Sequence, residues 1–514
     1  MNHWLIAPVL LPLACGAVLM TFGRHSLPLQ RALSVAATVA LLPIAAGLLI
    51  AAGDGDYRVY ALGGWPPPFG IVLVLDRLSA LLLLLTAVVA ACSLLHALRG
   101  TDAAGSNFHA LFQFQLMGLN GAFLTGDLFN LFVFFEVLLL ASYGLLLHGG
   151  DAARIRAGFH YVVLNLVGST LFLVAVGILY GVLGTLNMAD LAQKIATATV
   201  ADAALLRAGG LLLLVVFGLK AALLPLYFWL PGAYGATSAP VAALFAIMTK
   251  VGVYAIIRVF TLIFGPQAGP AADVAAPWLL PLALATLAAG ALGALASDNL
   301  RTLVAYLIVL SVGMLLTAVG LFSASGLSAA LYYLPHTTLI TAGLFLLADI
   351  IATRRGHDRL QAGLALDRPL VPGALFFIGA VAIVGLPPFS GFVGKLVILQ
   401  AARGDPAIAW IWATVLTASL LSLIALAQAG STLFWKAAAP AAGEPARAQT
   451  HRNGLSATVP AAALLSFGAL LVAFGGPITA LTGATAQQLV DPLNYIEGVL
   501  GDDAGLPATG GASP

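Results

Sequence analysis

The chain has 514 residues, 61% of them hydrophobic and 8% charged, with a formal net charge of +2 and a mean hydropathy of +1.03. This balance excludes a soluble globular domain, and cations spread over loops without a basic block exclude a nucleic-acid-binding surface. Repeated apolar runs of about 20 residues are the length a helix needs to cross a bilayer, which predicts an all-α polytopic membrane protein.

In chain order, the apolar runs and their Gly, Pro and charged punctuation predict about fourteen spans. Their approximate limits are 4–22, 30–51, 73–95, 108–126, 128–148, 160–183, 208–230, 240–263, 276–296, 302–321, 328–350, 371–402, 407–434 and 455–475. The amino terminus, MNHWLIAPVLLPLACG, lacks the Lys/Arg-rich start of a cleaved signal and reads as the first membrane helix. Cys15 and Cys92 lie in apolar segments with no CxxC or Cys/His cluster, so no disulfide framework, metal site or redox cofactor is expected. Spans four and five meet at Leu124-Thr125-Gly126-Asp127 with almost no loop. Residues 1–475 read as one transmembrane domain, and 476–514 as a polar external tail with Asp491, Glu497, Asp502 and Asp503 that ends in ATGGASP.

Cation placement supports this count, because short loops rich in Lys and Arg stay in the cytoplasm. With the amino terminus outside, the odd-numbered loops are cytoplasmic. They hold Arg24, Arg31, Arg99, Arg154, Arg156, Arg301, Arg354, Arg355, Arg359, Arg368, Lys436, Arg447 and Arg452. The opposite side holds only Arg58, Arg77, Lys194, Arg207 and Arg403. Both termini are therefore predicted outside a bacterial-type inner (plasma) membrane.

Two spans contain helix breakers. In the seventh, Gly218-Leu-Lys220-Ala-Ala-Leu-Leu-Pro225, the proline cannot donate to the helix ladder and frees the turn that holds Lys220. The twelfth is overlong and interrupted by Gly385-Leu386-Pro387-Pro388-Phe389-Ser390-Gly391. Discontinuous helices in corresponding positions of two halves mark an inverted-repeat transporter. This reading sets spans four to eight (about 108–263) against nine to thirteen (about 276–434), with helices seven and twelve as symmetry mates.

Four ionisable side chains fall in mid-span: Glu136, Lys220, Lys250 and Lys395. A lone charge at the bilayer centre costs about 2.5 to 3.5 kcal/mol on insertion scales, so it persists only if paired, hydrated or used. Lysine, unlike arginine, can load and release a proton when burial and a nearby carboxylate are traded against each other. His336 sits in a polar stripe with Tyr332, Tyr333, Thr337, Thr338 and Thr341, where a near-neutral imidazole would suit a shuttle between lysines. Each residue also has a plainer reading. Lys220 would neutralise Glu136 in a structural ion pair; Lys250, on one face with Tyr254, and Lys395 would bond neighbouring carbonyls; His336 would be a packing residue. Asp127 would cap the helix that begins there or stand at a channel entrance, and about 900° of helical rotation turns it away from Glu136. Arg258 reads as a snorkelling interfacial cation.

Phe123-Leu-Thr-Gly-Asp-Leu-Phe-Asn-Leu-Phe-Val-Phe-Phe-Glu136 resembles the fifth-helix motif of the D-type subunits of the Mrp-type multisubunit sodium/proton antiporter family, whose relatives are the proton-pumping subunits of respiratory complex I. The similarity runs from about residue 70 to 435 and includes GLKAALLPLYFWLPGAYGATSAPVAALFAIMTKVGVYAIIRV (218–259), NLRTLVAYLIVLSVGMLL (299–316) and GLPPFSGFVGKLVIL (385–399). The resemblance implies a glutamate at Glu136 paired with Lys220, a bridging lysine at Lys250, an eleventh-helix histidine at His336 and a second half-channel lysine at Lys395. Thr341 and Ser311 stand where some relatives carry a lysine and a histidine. M-type complex I subunits are similar in carrying glutamate where Lys395 stands, which argues against that assignment.

The implied function is a subunit of a monovalent cation (Na+ or K+)/proton antiporter, a secondary transporter subunit and not an enzyme, working with other membrane subunits in a lipid bilayer. No G-x-x-x-x-G-K-[ST] loop exists: around Lys395, Phe389 takes the first glycine position and Leu396 the Ser/Thr position, so ATP is not the driving force. Two alternatives are a proton-pumping subunit of a complex I-like oxidoreductase or membrane hydrogenase, and a non-transporting scaffold. Glu136 is the only acid assigned to mid-span, so a sodium site of clustered carboxylates is not expected within this chain.

Overall fold

The computed structural model describes residues 3–22, 26–362, 366, 368–436 and 457–501. Arg24, Arg447, Arg452, Asp502, Asp503 and the closing ATGGASP lie outside the described residues.

The chain is predominantly helical. Helices α1 (Ala7–Thr21) and α2 (Leu27–Ala51) precede a hairpin, β1 (Arg58–Ala61) and β2 (Val72–Leu75), paired antiparallel with Arg58 opposite Leu75. There follow α3 (Arg77–Ala97), α4 (Phe108–Leu124), α5 (Leu128–Leu147), α6 (Ala152–Leu183), α7 (Met188–Ala196), α8 (Ala203–Ala221), α9 (Trp229–Ala236), α10 (Ala239–Phe245) and α11 (Met248–Leu262). The second half comprises α12 (Ala276–Leu295), α13 (Leu300–Val319), α14 (Ala324–Arg355), α15 (Leu370–Val384), α16 (Ser390–Ala401), α17 (Ile408–Gly430), α18 (Val459–Ala473), α19 (Gly475–Val490) and α20 (Pro492–Leu500).

Among the described residues, 10 helical segments are long and apolar enough to cross a membrane, or 11 if α18 and α19, bent by 84°, form one. Four expected spans fall short by length: those at α1, α4 and α18, and the twelfth, which its Gly-Pro-Pro turn breaks into α15 and α16. Polar caps set several starts: Asp76 and Ser79 form a reciprocal capping box on α3, and Asp127, Asp151, Asn187, Asn299 and Ser323 cap α5, α6, α7, α13 and α14.

Burial sorts the helices into an axis and a shell. The most apolar stretch of α10–α11 is wholly buried and that of α14 nearly so, whereas α2, α6, α8, α12 and α17 leave most of theirs on the outside, where lipid or partner helices complete the environment. Small residues allow the closest helix approach: a Cβ at Gly290 would lie 2.3 Å from the Leu310 amide nitrogen, and one at Gly313 2.3 Å from that of Leu287, which locks α12 to α13.

The segment read as a polar tail is helical through Leu500. Its residues Thr482, Thr485, Ala486 and Leu489 are buried, and Tyr495 stacks edge-on against Tyr57 at 5.2 Å. Gln488 Nε2 donates to the Gly55 carbonyl at 2.7 Å, which ties this segment to the connection before β1. Composition alone does not reveal these helices, because a helix docked along a protein face buries one stripe and leaves the rest polar.

Candidate functional site

The first break ends α8 one residue after Lys220. Ala222 takes a left-handed backbone at φ 64°, the Leu224 amide donates to Thr286 Oγ1 at 2.8 Å, and the Trp229 indole donates to the Leu219 carbonyl at 3.1 Å. Backbone groups released by the break thus find partners inside protein. Helix α11 passes so close that a Cβ at Gly252 would lie 2.4 Å from the Ala221 nitrogen.

Lys220, 5% exposed, donates from Nζ to Asn165 Oδ1 at 3.2 Å and lies 5.8 Å from the centre of the Phe135 ring. Glu136, on α5, accepts from Ser169 Oγ. Asn165 and Ser169 are one turn apart on α6 and share a face, so both charges bond the same face of α6, and no ion pair within 4 Å joins Glu136 and Lys220. Each charge makes its hydrogen bond to a neutral side chain, and the two meet only through their electrostatic field. Ser169 Oγ is also 3.0 Å from the Asn165 carbonyl; with one hydroxyl proton and two acceptors, it can serve the carboxylate or its own helix but not both.

The second break is built from glycines. α15 ends in Gly385 at φ +83°, a left-handed cap that favours glycine. Lys395, 6% exposed, donates from Nζ to the Val384 carbonyl at 2.6 Å and to Ser419 Oγ on α17 at 2.8 Å. The ammonium therefore sits at the carbonyl end of α15, where the helix dipole favours a cation. His336 on α14 places Nδ1 2.8 Å from Ser390 Oγ, while its Nε2 is buried with no protein partner. A Cβ at Gly391 would lie 2.0 Å from the Ala382 carbonyl oxygen and 2.9 Å from His336 Nε2. Gly391→Ala is accordingly expected to separate α15 from α16 and displace His336, cutting exchange in membrane vesicles about tenfold or more. Gly373→Ala, whose new methyl would meet only Phe434 at 3.6 Å, is expected to leave exchange unchanged.

Lys250 is fully buried, and its Nζ reaches only the neighbouring Thr249 Oγ1, at 3.3 Å. Tyr254, on the same helical face, donates instead to the Phe123 carbonyl at 3.0 Å. Asp127 accepts from the Asn130 amide at 2.8 Å and so caps α5.

Several buried polar residues carry no clear signal in the sequence. Asn165 and Ser169 are visible there only as two polar positions four apart in an apolar run. Arg258 is not a snorkelling surface cation: it is 4% exposed and pairs with Asp76 at 2.5 Å, flanked by Tyr254 and Tyr495 with ring centres at 5.6 and 5.3 Å. Asp349, at the end of the predicted span 328–350 and so not counted as a mid-span acid, pairs with His96 at 3.0 Å. No group of three or more His, Cys, Asp or Glu side chains fit to share a metal ion occurs among the described residues.

Long apolar helices, two of them broken, with buried lysines beside the breaks, define a polytopic membrane protein of transporter type. Residues 125–424 match the family described as NADH:quinone oxidoreductase/Mrp antiporter, TM, and the chain belongs to it. It is 40% identical over 544 aligned residues to the D-type subunit of a probable K(+)/H(+) antiporter from Rhizobium meliloti, covering 97% of this chain and 98% of that one. It is 39% identical over 509 residues to the D-type subunit of an Na(+)/H(+) antiporter from Bacillus subtilis, covering 97% and 100%. A chain in the structure of the Mrp complex from Dietzia sp. superposes with a TM-score of 0.87 at 30% identity, over 98% of this chain and 100% of that one. These similarities confirm the resemblance carried by the motifs, and relatives named as antiporter subunits make the chain a transporter subunit, not an enzyme.

Proposed function

We propose that the chain is the proton-conducting D-type subunit of a multisubunit Na+ or K+/proton antiporter in a bacterial-type plasma membrane. The observation that carries this reading is that Lys220, Lys250 and Lys395 are buried with neutral partners only: Asn165, Thr249, and Val384 with Ser419. A permanent cation at Lys250, whose ammonium meets only the Thr249 hydroxyl, would carry a desolvation cost of several kcal/mol. An amine able to pass its proton on does not. Protons move between Lys220, under control of Glu136 through the Asn165–Ser169 face of α6, and Lys395, by way of Lys250, water and His336. Asp127 serves the relay indirectly by fixing the start of α5. Sodium and potassium are the cations named for the relatives, and other membrane subunits of the complex supply what this chain lacks for their passage.

The finer architecture is part of the proposal. Adding α1, α4, the α15–α16 pair and α18 to the ten long segments gives fourteen crossings. His3 and Gln488, near the two ends of the described chain, lie on one face, since His3 Nδ1 is 3.1 Å from Tyr60 Oη and Gln488 bonds Gly55; an even number of crossings requires this. The cation-poor loops put that face outside. Two inverted repeats, α4–α11 and α12–α17, are supported by a broken helix in the same position of each, with left-handed caps at Ala222 and Gly385. The 1–475 domain and the docked segment after it form one membrane unit on this view.

The test is flux through the complete complex in proteoliposomes, with Glu136, Lys220, Lys250 and Lys395 neutralised one at a time. Each replacement is expected to lower both proton and cation flux by about a hundredfold. A scaffold would tolerate all four.

A further inference from the structure

One group of titratable residues left out of the relay gathers where α3 and α14 end and α13 begins, on the face with the cation-rich loops. His96, 1% exposed, places Nε2 3.0 Å from Asp349 Oδ2, whose side chain is 28% exposed. Arg301 lies 3.5 Å from Asp349 Oδ1 and 3.7 Å from Asp358. Arg99 is 3.4 Å from His96 Nε2, and Arg354 stands beside Arg99. The carboxylate thus meets water and cations on one side and the imidazole on the other.

Two further atoms give the pair a direction. His96 Nδ1 is buried without a protein partner, and so is Ser93 Oγ, one turn earlier on the same face of α3. Side chains three residues apart on a helix have Cβ atoms about 5–6 Å apart, a gap that one water with bonds to both polar atoms fills. A purely structural pair would not need the second nitrogen left open. Thr86, seven residues before Ser93, continues the same buried face, and α3 packs against α10, the helix that leads into Lys250.

We propose that His96 and Asp349 form a proton-exchange site joining the relay to water at the cation-rich face. A proton taken from water by the Asp349 carboxylate transfers to His96 Nε2. The imidazolium then releases its Nδ1 proton to the water held against Ser93, and reorientation of the ring, with the proton still on Nε2, turns that N–H toward the water and the bare Nδ1 toward Asp349 for the next transfer. The reverse sequence delivers protons outward. No electrons move, and each proton transfer breaks one N–H or O–H bond and forms another. Arg301 and Arg99 favour the charged carboxylate between transfers, and Asp358 offsets part of the Arg301 field.

This inference rests on the proton-conducting reading, and its test separates the two. In the intact complex, His96→Gln keeps an amide that can bond Asp349 but cannot carry a proton. Expected is a loss of about a hundredfold in exchange, an activity that rises with the concentration of mobile buffer, and partial recovery of a His96→Gly complex in imidazole. Asp349→Asn should show the same loss and buffer dependence, with the double variant no worse than either single one. If His96→Gln fails to assemble, Asp349→Asn is read by the same criteria. Wild-type exchange in His96→Gln from about pH 6 to 9, alongside abolished exchange in Lys220→Ala, overturns the site and leaves the relay standing. A loss insensitive to buffer and imidazole also overturns it, because that is the signature of a structural lock.

Discussion

Replacing Lys220 with alanine is expected to abolish cation/proton exchange, a fall of about a hundredfold or more, in membrane vesicles whose antiporter complex remains assembled. The structural cost of the change is small. Lys220 makes one side-chain hydrogen bond, to Asn165, and its loss leaves one buried acceptor unpaired, worth about 1–3 kcal/mol. The functional cost is total if the amine is the group that loads and sheds the proton. Glu136→Ala should behave alike. Asn165→Asp separates a relay from a structural pair: a carboxylate fixed about 3 Å from the amine would stabilise a structural ammonium, yet in a relay it traps the proton and stops exchange. Fluorescence quenching of a pH probe on addition of sodium or potassium reads the exchange, and native electrophoresis reads assembly. Normal exchange in an assembled Lys220→Ala complex would sink the relay.

The largest stability effect is expected at Asp76 and Arg258. Both are buried, they pair at 2.5 Å, and removing one partner strands the other charge at a cost of about 3–5 kcal/mol. Asp76→Ala also removes the cap of α3, worth about 1 kcal/mol more. The pair further anchors the carboxyl-terminal helices, because Tyr495 of α20 lies over the Arg258 guanidinium at 5.3 Å. Each single variant should therefore lower complex abundance in membranes and the melting temperature of the solubilised complex. The double variant Asp76→Asn/Arg258→Met should recover much of the loss, since it leaves no unpaired charge. Single variants as stable as the parent would show that the pair contributes only surface-like electrostatics.

The breaks at Pro225 and Pro387–Pro388 are legible in the sequence because proline lacks an amide donor wherever it stands. Glu136, Lys220, Lys250 and Lys395 are legible because a charge inside an apolar run is conspicuous at any register. The capping role of Asp127 is legible from its place before Leu128. The partners of those groups are not. Glu136 and Lys220 look like a direct pair because motif spacing says which helices carry charge but not what lies between them. Asp349 escapes notice because it lies one residue from the end of the predicted span 328–350, and Arg258 looks like a surface cation because nothing near it in the chain is acidic. The segment 475–500 looks like a tail because its buried stripe is narrow.

Local pattern thus accounts for the membrane class, the approximate spans, the two broken helices and the family motif, all of which depend on properties of consecutive residues. Packing alone chose Ser169 for Glu136 across 33 residues, Asn165 for Lys220 across 55, Asp76 for Arg258 across 182 and Asp349 for His96 across 253. Which buried polar groups meet is settled by how helices distant in the chain stack, and the high cost of leaving any of them unpaired in a membrane makes that stacking specific.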